Sequence, residues 1–161
     1  MSKIIGITGW KDVGKTHYAS LIIKLLVKKG YQVGSIKHAH HNFDIDKSGT
    51  DSFKLREAGS NQVIISSSKR WAKITENNNE NEKNLDELVQ ELNNVDIVVV
   101  EGFKKDNHPK IEILSKDLKN RNKETNNVIA IVSDDLKDTI TPVFKKNDIE
   151  KLVEFIIKKI L

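Results

Sequence analysis

Residues 3–16 read Lys3-Ile4-Ile5-Gly6-Ile7-Thr8-Gly9-Trp10-Lys11-Asp12-Val13-Gly14-Lys15-Thr16, an apolar run followed by an octapeptide bracketed by glycines. The run Lys3 to Thr8 has the length and branching of a short buried strand. The octapeptide Gly9 to Thr16 matches G-x-x-x-x-G-K-[ST] in full, and a helical pattern starts at its end, the context that this pattern requires. Chance alone produces such a match in roughly one random chain of this length in a few hundred. Gly9 and Gly14 permit torsions that a Cβ resists, so successive amide N–H groups can turn inward. With the positive end of the following helix they form a cradle for a polyphosphate. In that reading the binding stretch is Gly9, Trp10, Lys11, Asp12, Val13, Gly14, Lys15, Thr16 and His17. Lys15 reaches the phosphates and the Thr16 hydroxyl ligates Mg²⁺.

Working outward, Ala19, Ile22, Ile23, Leu26 and Val27 recur at helical spacing over Lys15 to Lys29, and Gly30 closes the helix. Tyr31 to Lys37 is a second strand, so the first 37 residues make one strand–helix–strand unit of a parallel sheet. Further strands are predicted at Gln62–Ser66 and Trp71–Thr75, an antiparallel pair, and at Val95–Val100, Lys110–Leu114 and Val128–Val132. Helices are predicted at Ser52–Ala58, Leu85–Leu92 and, behind an Asp148 cap, Asp148–Leu161. The polar run Glu76 to Asn84 is a loop. The expected fold is α/β: a three-layer P-loop NTPase sandwich, its central sheet largely parallel, with an antiparallel edge extension. Residues 1–161 are read as one nucleotide-binding domain.

Composition bounds the chemistry. The chain has 161 residues, 37% hydrophobic, with no cysteine, which excludes a disulfide scaffold, a Cys-ligated zinc site and an iron–sulfur cluster. Lys plus Arg is 27 against 23 acids, a surplus of only +4, and there are two Trp and two Tyr. These numbers give no footing for a nucleic-acid arm but suit a small anionic ligand. Apolar runs of about five residues fall far short of a membrane span, which needs about 20, and no secretory h-region opens the chain. A cytoplasmic protein with no membrane partner is expected. Only Arg56, Arg70 and Arg121 are arginines. That scarcity argues against the alternative of a small-molecule P-loop kinase or ligase, whose lid usually carries several. It also marks Arg56 and Arg70 as candidates to grip a phosphate or a partner's acidic group.

Two acidic positions complete the candidate site. Ile97-Val98-Val99-Val100-Glu101-Gly102 places Glu101 where a buried strand emerges, suited to magnesium or to the attacking water. Lys37-His38-Ala39-His40-His41-Asn42-Phe43-Asp44-Ile45-Asp46 follows the second strand and opens at the same sheet edge as the loop. Asp46 and Asp44 are candidates for the metal shell or for orienting water. By residue type, His38, His40 and His41 suit a transition metal, an anionic group or packing within a switch-like loop.

Together GWKDVGKT, KHAHHNFDID, DSFKLREAGS, the KRWA strand and VVVEGFK resemble the MobB family of molybdopterin-guanine dinucleotide biosynthesis adapter proteins, over at least Lys3 to Lys104, and the IAIVSDD stretch also fits. The resemblance implies a GTP-binding, weakly GTP-hydrolysing homodimer that needs Mg²⁺ and assists a MobA-type guanylyltransferase in molybdenum cofactor biosynthesis. It further implies that Lys15, Asp46 and Glu101 serve catalysis, that Thr16, Asp46 and Glu101 serve the metal, and that Ser133 and Asp134 lie near the base. Three departures stand out: Asn42 where the family often has Asp, no N-K-x-D guanine signature, and Trp10 rather than lysine at the second loop position.

Overall fold

The computed structural model describes residues 3–39, 42–77, 82–115, 125–136 and 139–161. His40, His41 and Arg121 lie outside the described residues. Two compact units form: Met1–His38 together with Leu85–Leu161, and Ala39–Asn84.

The first unit is built on strands β1 (Lys3–Gly9), β2 (Val33–Lys37), β5 (Ile97–Glu101), β6 (Lys110–Ile113), β7 (Val128–Val132) and β8 (Val143–Phe144). They form one sheet in the order β2-β5-β1-β6-β7-β8, parallel throughout. Helices α1 (Lys15–Lys28) and α4 (Ile149–Ile160) cover one face, and α3 (Leu85–Gln90) covers part of the other. Strand β5 shows why three layers are required. Ile97 and Val99 pack with Ala19, Ile22 and Leu26 of α1 and with Leu152, Val153 and Ile156 of α4. Val98 and Val100 pack with Leu85 and Val89 of α3. A strand buried on both faces reads as a continuous apolar run, as this one does.

The end of α1 follows the expectation for Gly30. With φ at 94°, it lets its own N–H reach the Val27 carbonyl (3.0 Å) and the Tyr31 N–H reach that of Leu26 (3.1 Å). The Tyr31 amide is thereby committed to the helix end, and β2 starts at Val33 rather than Tyr31. Asp148 precedes α4 as expected, but its side chain makes no capping bond. Its carboxylate instead takes the Lys151 ammonium at 3.2 Å, an ion pair one turn along the helix. Strand β8, two residues long, has too little pattern to be read from sequence.

The second unit holds helix α2 (Asp51–Glu57) and the antiparallel pair β3 (Gln62–Ser66) and β4 (Trp71–Thr75). That pair forms a two-stranded sheet of its own. A lone hairpin buries little. Trp71 is 69% exposed, and Phe43, Ile45, Leu55 and Ile64 are exposed too.

Candidate functional site: the loop after the first strand

Strand β1 lies between β5 and β6, so the loop that leaves it emerges at the centre of the carboxyl edge, where ligands of such sheets bind. Gly9 turns the chain there. A Cβ on it would stand 2.4 Å from the Ile113 carbonyl oxygen, which fixes glycine by contact as well as by its φ of 149°. Gly14, at φ 88°, is the N-cap of α1 and gives no side-chain cap, and no acid occupies the first turn. The first amides of a 14-residue helix therefore face the loop without a side-chain acceptor, the arrangement in which an anion is favoured. Lys15 folds across the loop and donates to the Trp10 carbonyl at 2.7 Å.

Across from the helix start, the Thr16 hydroxyl donates to Glu101 Oε2 at 2.8 Å. The topology accounts for the meeting: β5 is inserted between β1 and β2, and Glu101 is the last residue of β5, registered with Ile7 on one side and Lys37 on the other. A hydroxyl and a carboxylate side by side at the phosphate loop are hard oxygen donors of the kind Mg²⁺ takes, so these residues fit that ion. Lys37 Nζ stands 3.6 Å from Glu101 Oε1 and 3.5 Å from Thr16 Oγ1. These three residues, with Lys11, Asp12, Gly14, Lys15 and His17, line a cavity of about 420 Å³. Burial lowers the Lys15 pKa below its ordinary value; Glu101 and Asp12 oppose the shift, while Lys104 and Lys37 add to it. Such a lysine, partly desolvated among other cations, gains from an anion beside it.

Lys37 is the residue that sequence reading passed over. It opens the quoted histidine segment, and its signal was its place as the last residue of the strand facing Glu101, legible only once β5 is known to separate β1 from β2. His38, next along, stacks on Phe103 with ring centroids 4.7 Å apart. Among the described residues no group of three His, Cys, Asp or Glu is placed to hold a metal ion. Ser133 and Asp134 lie at the end of β7 and serve local structure. Ser133 Oγ accepts the Asp135 and Leu136 N–H groups at 3.2 and 3.1 Å, and Asp134 accepts the Lys146 N–H at 3.0 Å.

Asp44, Asp46 and Arg56 belong to the second unit. The two aspartates point to one side: both accept from Arg56 Nη2, at 2.9 and 3.1 Å. Glu76 accepts from Nη1 at 3.4 Å. The Asp46 side chain is only 5% exposed, and its Oδ2 has no hydrogen-bond partner among the described residues. Arg56, expected to grip a phosphate or a partner's acid, is instead taken up by three carboxylates of its own unit, which hold its pKa above the ordinary value, the Asp46 hydrogen bond foremost.

The parallel sheet, the glycine-bracketed loop at its carboxyl edge and the facing carboxylate define a protein of the P-loop NTPase fold. Comparison with known proteins narrows this. The family described as "MobB: Molybdopterin guanine dinucleotide synthesis protein B" matches residues 4–134, and the chain belongs to that family. It is 34% identical to the molybdopterin-guanine dinucleotide biosynthesis adapter protein of Escherichia coli, over 98% of this chain and 93% of that one. It is 43% identical to the protein of the same name from Haemophilus influenzae, over 67% of this chain and 61% of that one. Among solved structures, a crystal structure of molybdopterin-guanine biosynthesis protein B is similar with a TM-score of 0.79 at 26% identity, covering 96% of this chain and 97% of the other. Bacillus subtilis MobB shares the fold with a TM-score of 0.81 at 23% identity, over 99% and 98% of the two chains.

Proposed function

We propose that this chain binds GTP with Mg²⁺ at Gly9–Thr16, hydrolyses it weakly, and serves as the accessory of a MobA-type guanylyltransferase in making molybdopterin guanine dinucleotide. The adapter role follows the names of its relatives. The observation that carries the nucleotide reading is the Thr16–Glu101 contact of 2.8 Å beside a helix start with no side-chain cap. In this reading the loop amides and Lys15 hold the phosphates, while Thr16 and Glu101 hold Mg²⁺, with Asp46 as the further carboxylate for metal or water. When bound, the ion would supply neutralisation of the phosphate charge. Glu101, on a rigid buried strand, orients the hydroxyl of Thr16. Ser133 and Asp134 are assigned to the neighbourhood of the base.

A cytoplasmic homodimer completes the proposal. No helix among the described residues is long and apolar enough to cross a membrane, and the exposed apolar side chains of the second unit suit burial against another copy. Calorimetric titration with GTP and with ATP, with and without the transferase, while turnover is followed, tests the reading. Preference for GTP and a change on adding transferase are expected. Binding of neither nucleotide, or much tighter binding of ATP, defeats it.

A further inference from the structure

A bound triphosphate brings about four negative charges to its site, and P-loop proteins meet them with a loop lysine, a metal ion and further cations, often arginine. Among the described residues of the first unit there is no arginine: Arg56 and Arg70 belong to the second, and Arg56 is already held by Asp44, Asp46 and Glu76. Among the described residues of the first unit the further positive charge is lysine, and the loop cavity is lined by Lys11, Lys15 and Lys37.

Lys37 is distinguished from the other two by how it is placed. Lys11 sits on the loop itself, exposed, and Lys15 is engaged with the Trp10 carbonyl. Lys37 is carried by a strand. In β2, Ile36 packs with the α3-side cluster and Val33 against the α1-side core, so the alternation of the strand sends Lys37 to the α1 side. In β5 the same alternation sends Ile97, Val99 and Glu101 there. Parallel register then makes Lys37 and Glu101 cross-strand neighbours at the carboxyl edge, with Lys37 Nζ 3.5 Å from Thr16 Oγ1. Stability does not account for the pair: an ion pair whose lysine is 61% exposed contributes little.

In the nucleotide reading Thr16 and Glu101 would hold Mg²⁺, which would neutralise charge on the outer phosphates. A cation touching both members of that pair therefore lies toward the outermost phosphate, while Lys15 serves the phosphates inside the loop. We propose that Lys37 is the specificity-determining cation for the γ-phosphate, exchanging its Glu101 contact for the terminal phosphate and so favouring nucleoside triphosphate over diphosphate. This rests on the nucleotide reading of Gly9–Thr16.

The test is calorimetric titration of wild type, Lys37→Met and Lys37→Arg with GTP and GDP at saturating Mg²⁺, with circular dichroism to confirm folding. A hydrogen bond between charged groups corresponds to roughly a tenfold effect or more. Lys37→Met should therefore weaken GTP about tenfold and GDP less than about twofold, and Lys37→Arg should keep most of the preference. Equal losses for both nucleotides, or no loss, overturn the assignment while leaving the nucleotide reading intact. Wild-type protein that binds neither nucleotide overturns both. If Lys37→Met fails to fold, Lys37→Gln takes its place; if that fails too, the residue is a structural tie between β2 and β5 and the assignment falls.

Discussion

At the residue scale, the loop separates two kinds of contribution. Lys15 is held at the loop by a backbone carbonyl, so Lys15→Ala should leave the fold intact and weaken triphosphate binding by about a hundredfold, in line with the loss of charged hydrogen bonds. Calorimetry and circular dichroism together check this; loss of helix content would make the loop structural. Glu101→Gln keeps an acceptor for Thr16 but removes the charge. It should spare GTP binding within about threefold and lower turnover by about ten- to a hundredfold, as removal of a metal- or water-directed carboxylate does. Unchanged single-turnover hydrolysis would remove Glu101 from the mechanism.

At the scale of elements, the α3-side face of β1 and β6 carries polar groups where apolar ones are the rule. Lys110 is fully buried, and its ammonium donates to the carbonyls of Asp106, His108 (3.0 Å) and Asn126 (3.2 Å), fastening the loops around β6. His108 lies over Gly6, where a Cβ would stand 2.5 Å from its Nε2, so β1 carries glycine there for want of room. Neither ring nitrogen of His108 has a hydrogen-bond partner among the described residues. Burial, aided by the Lys110 charge, lowers its pKa from 6.5 to about 4. The folded histidine therefore resists a proton that the unfolded chain accepts below pH 6.5, so stability is lost as pH falls from about 6.5 toward 4. At the bottom of that window the loss is on the order of 3 kcal/mol. Urea unfolding at pH 7 and pH 4.5 should show a smaller difference for His108→Gln than for wild type; equal differences would exclude His108 as the source.

At the scale of the molecule, the two units differ in how well each buries its apolar residues. The first has a core on each side of its sheet. The second places no buried residue on α2 and exposes Ile64, Ile65 and Trp71 on its hairpin. Patches of that kind mark association surfaces. Sedimentation should give a mass twice that of the chain, and Trp71→Lys should shift it toward the monomer without loss of secondary structure. A wild-type monomer at micromolar concentration would refute the homodimer.

How far the sequence could be read follows from the range of the interactions involved. The loop, the helix after it, the Gly30 terminus and the strand Ile97–Glu101 rest on contacts within a few residues or on uniform burial, and periodicity reports those directly. The Asp148 side chain and the destiny of Arg56 escaped it, because each chose among several nearby charges, a choice made by packing.

What the chain determined by itself was the class of fold and the glycine-bracketed loop between β1 and α1, since glycine torsions, the pattern G-x-x-x-x-G-K-[ST] and strand-length apolar runs are local properties. Tertiary structure alone decided that β5 enters between β1 and β2, and with it that Glu101 meets Thr16 and Lys37 across 85 and 64 residues of chain. Strand order is a competition among non-local pairings of nearly equal apolar runs, and no local pattern encodes its outcome.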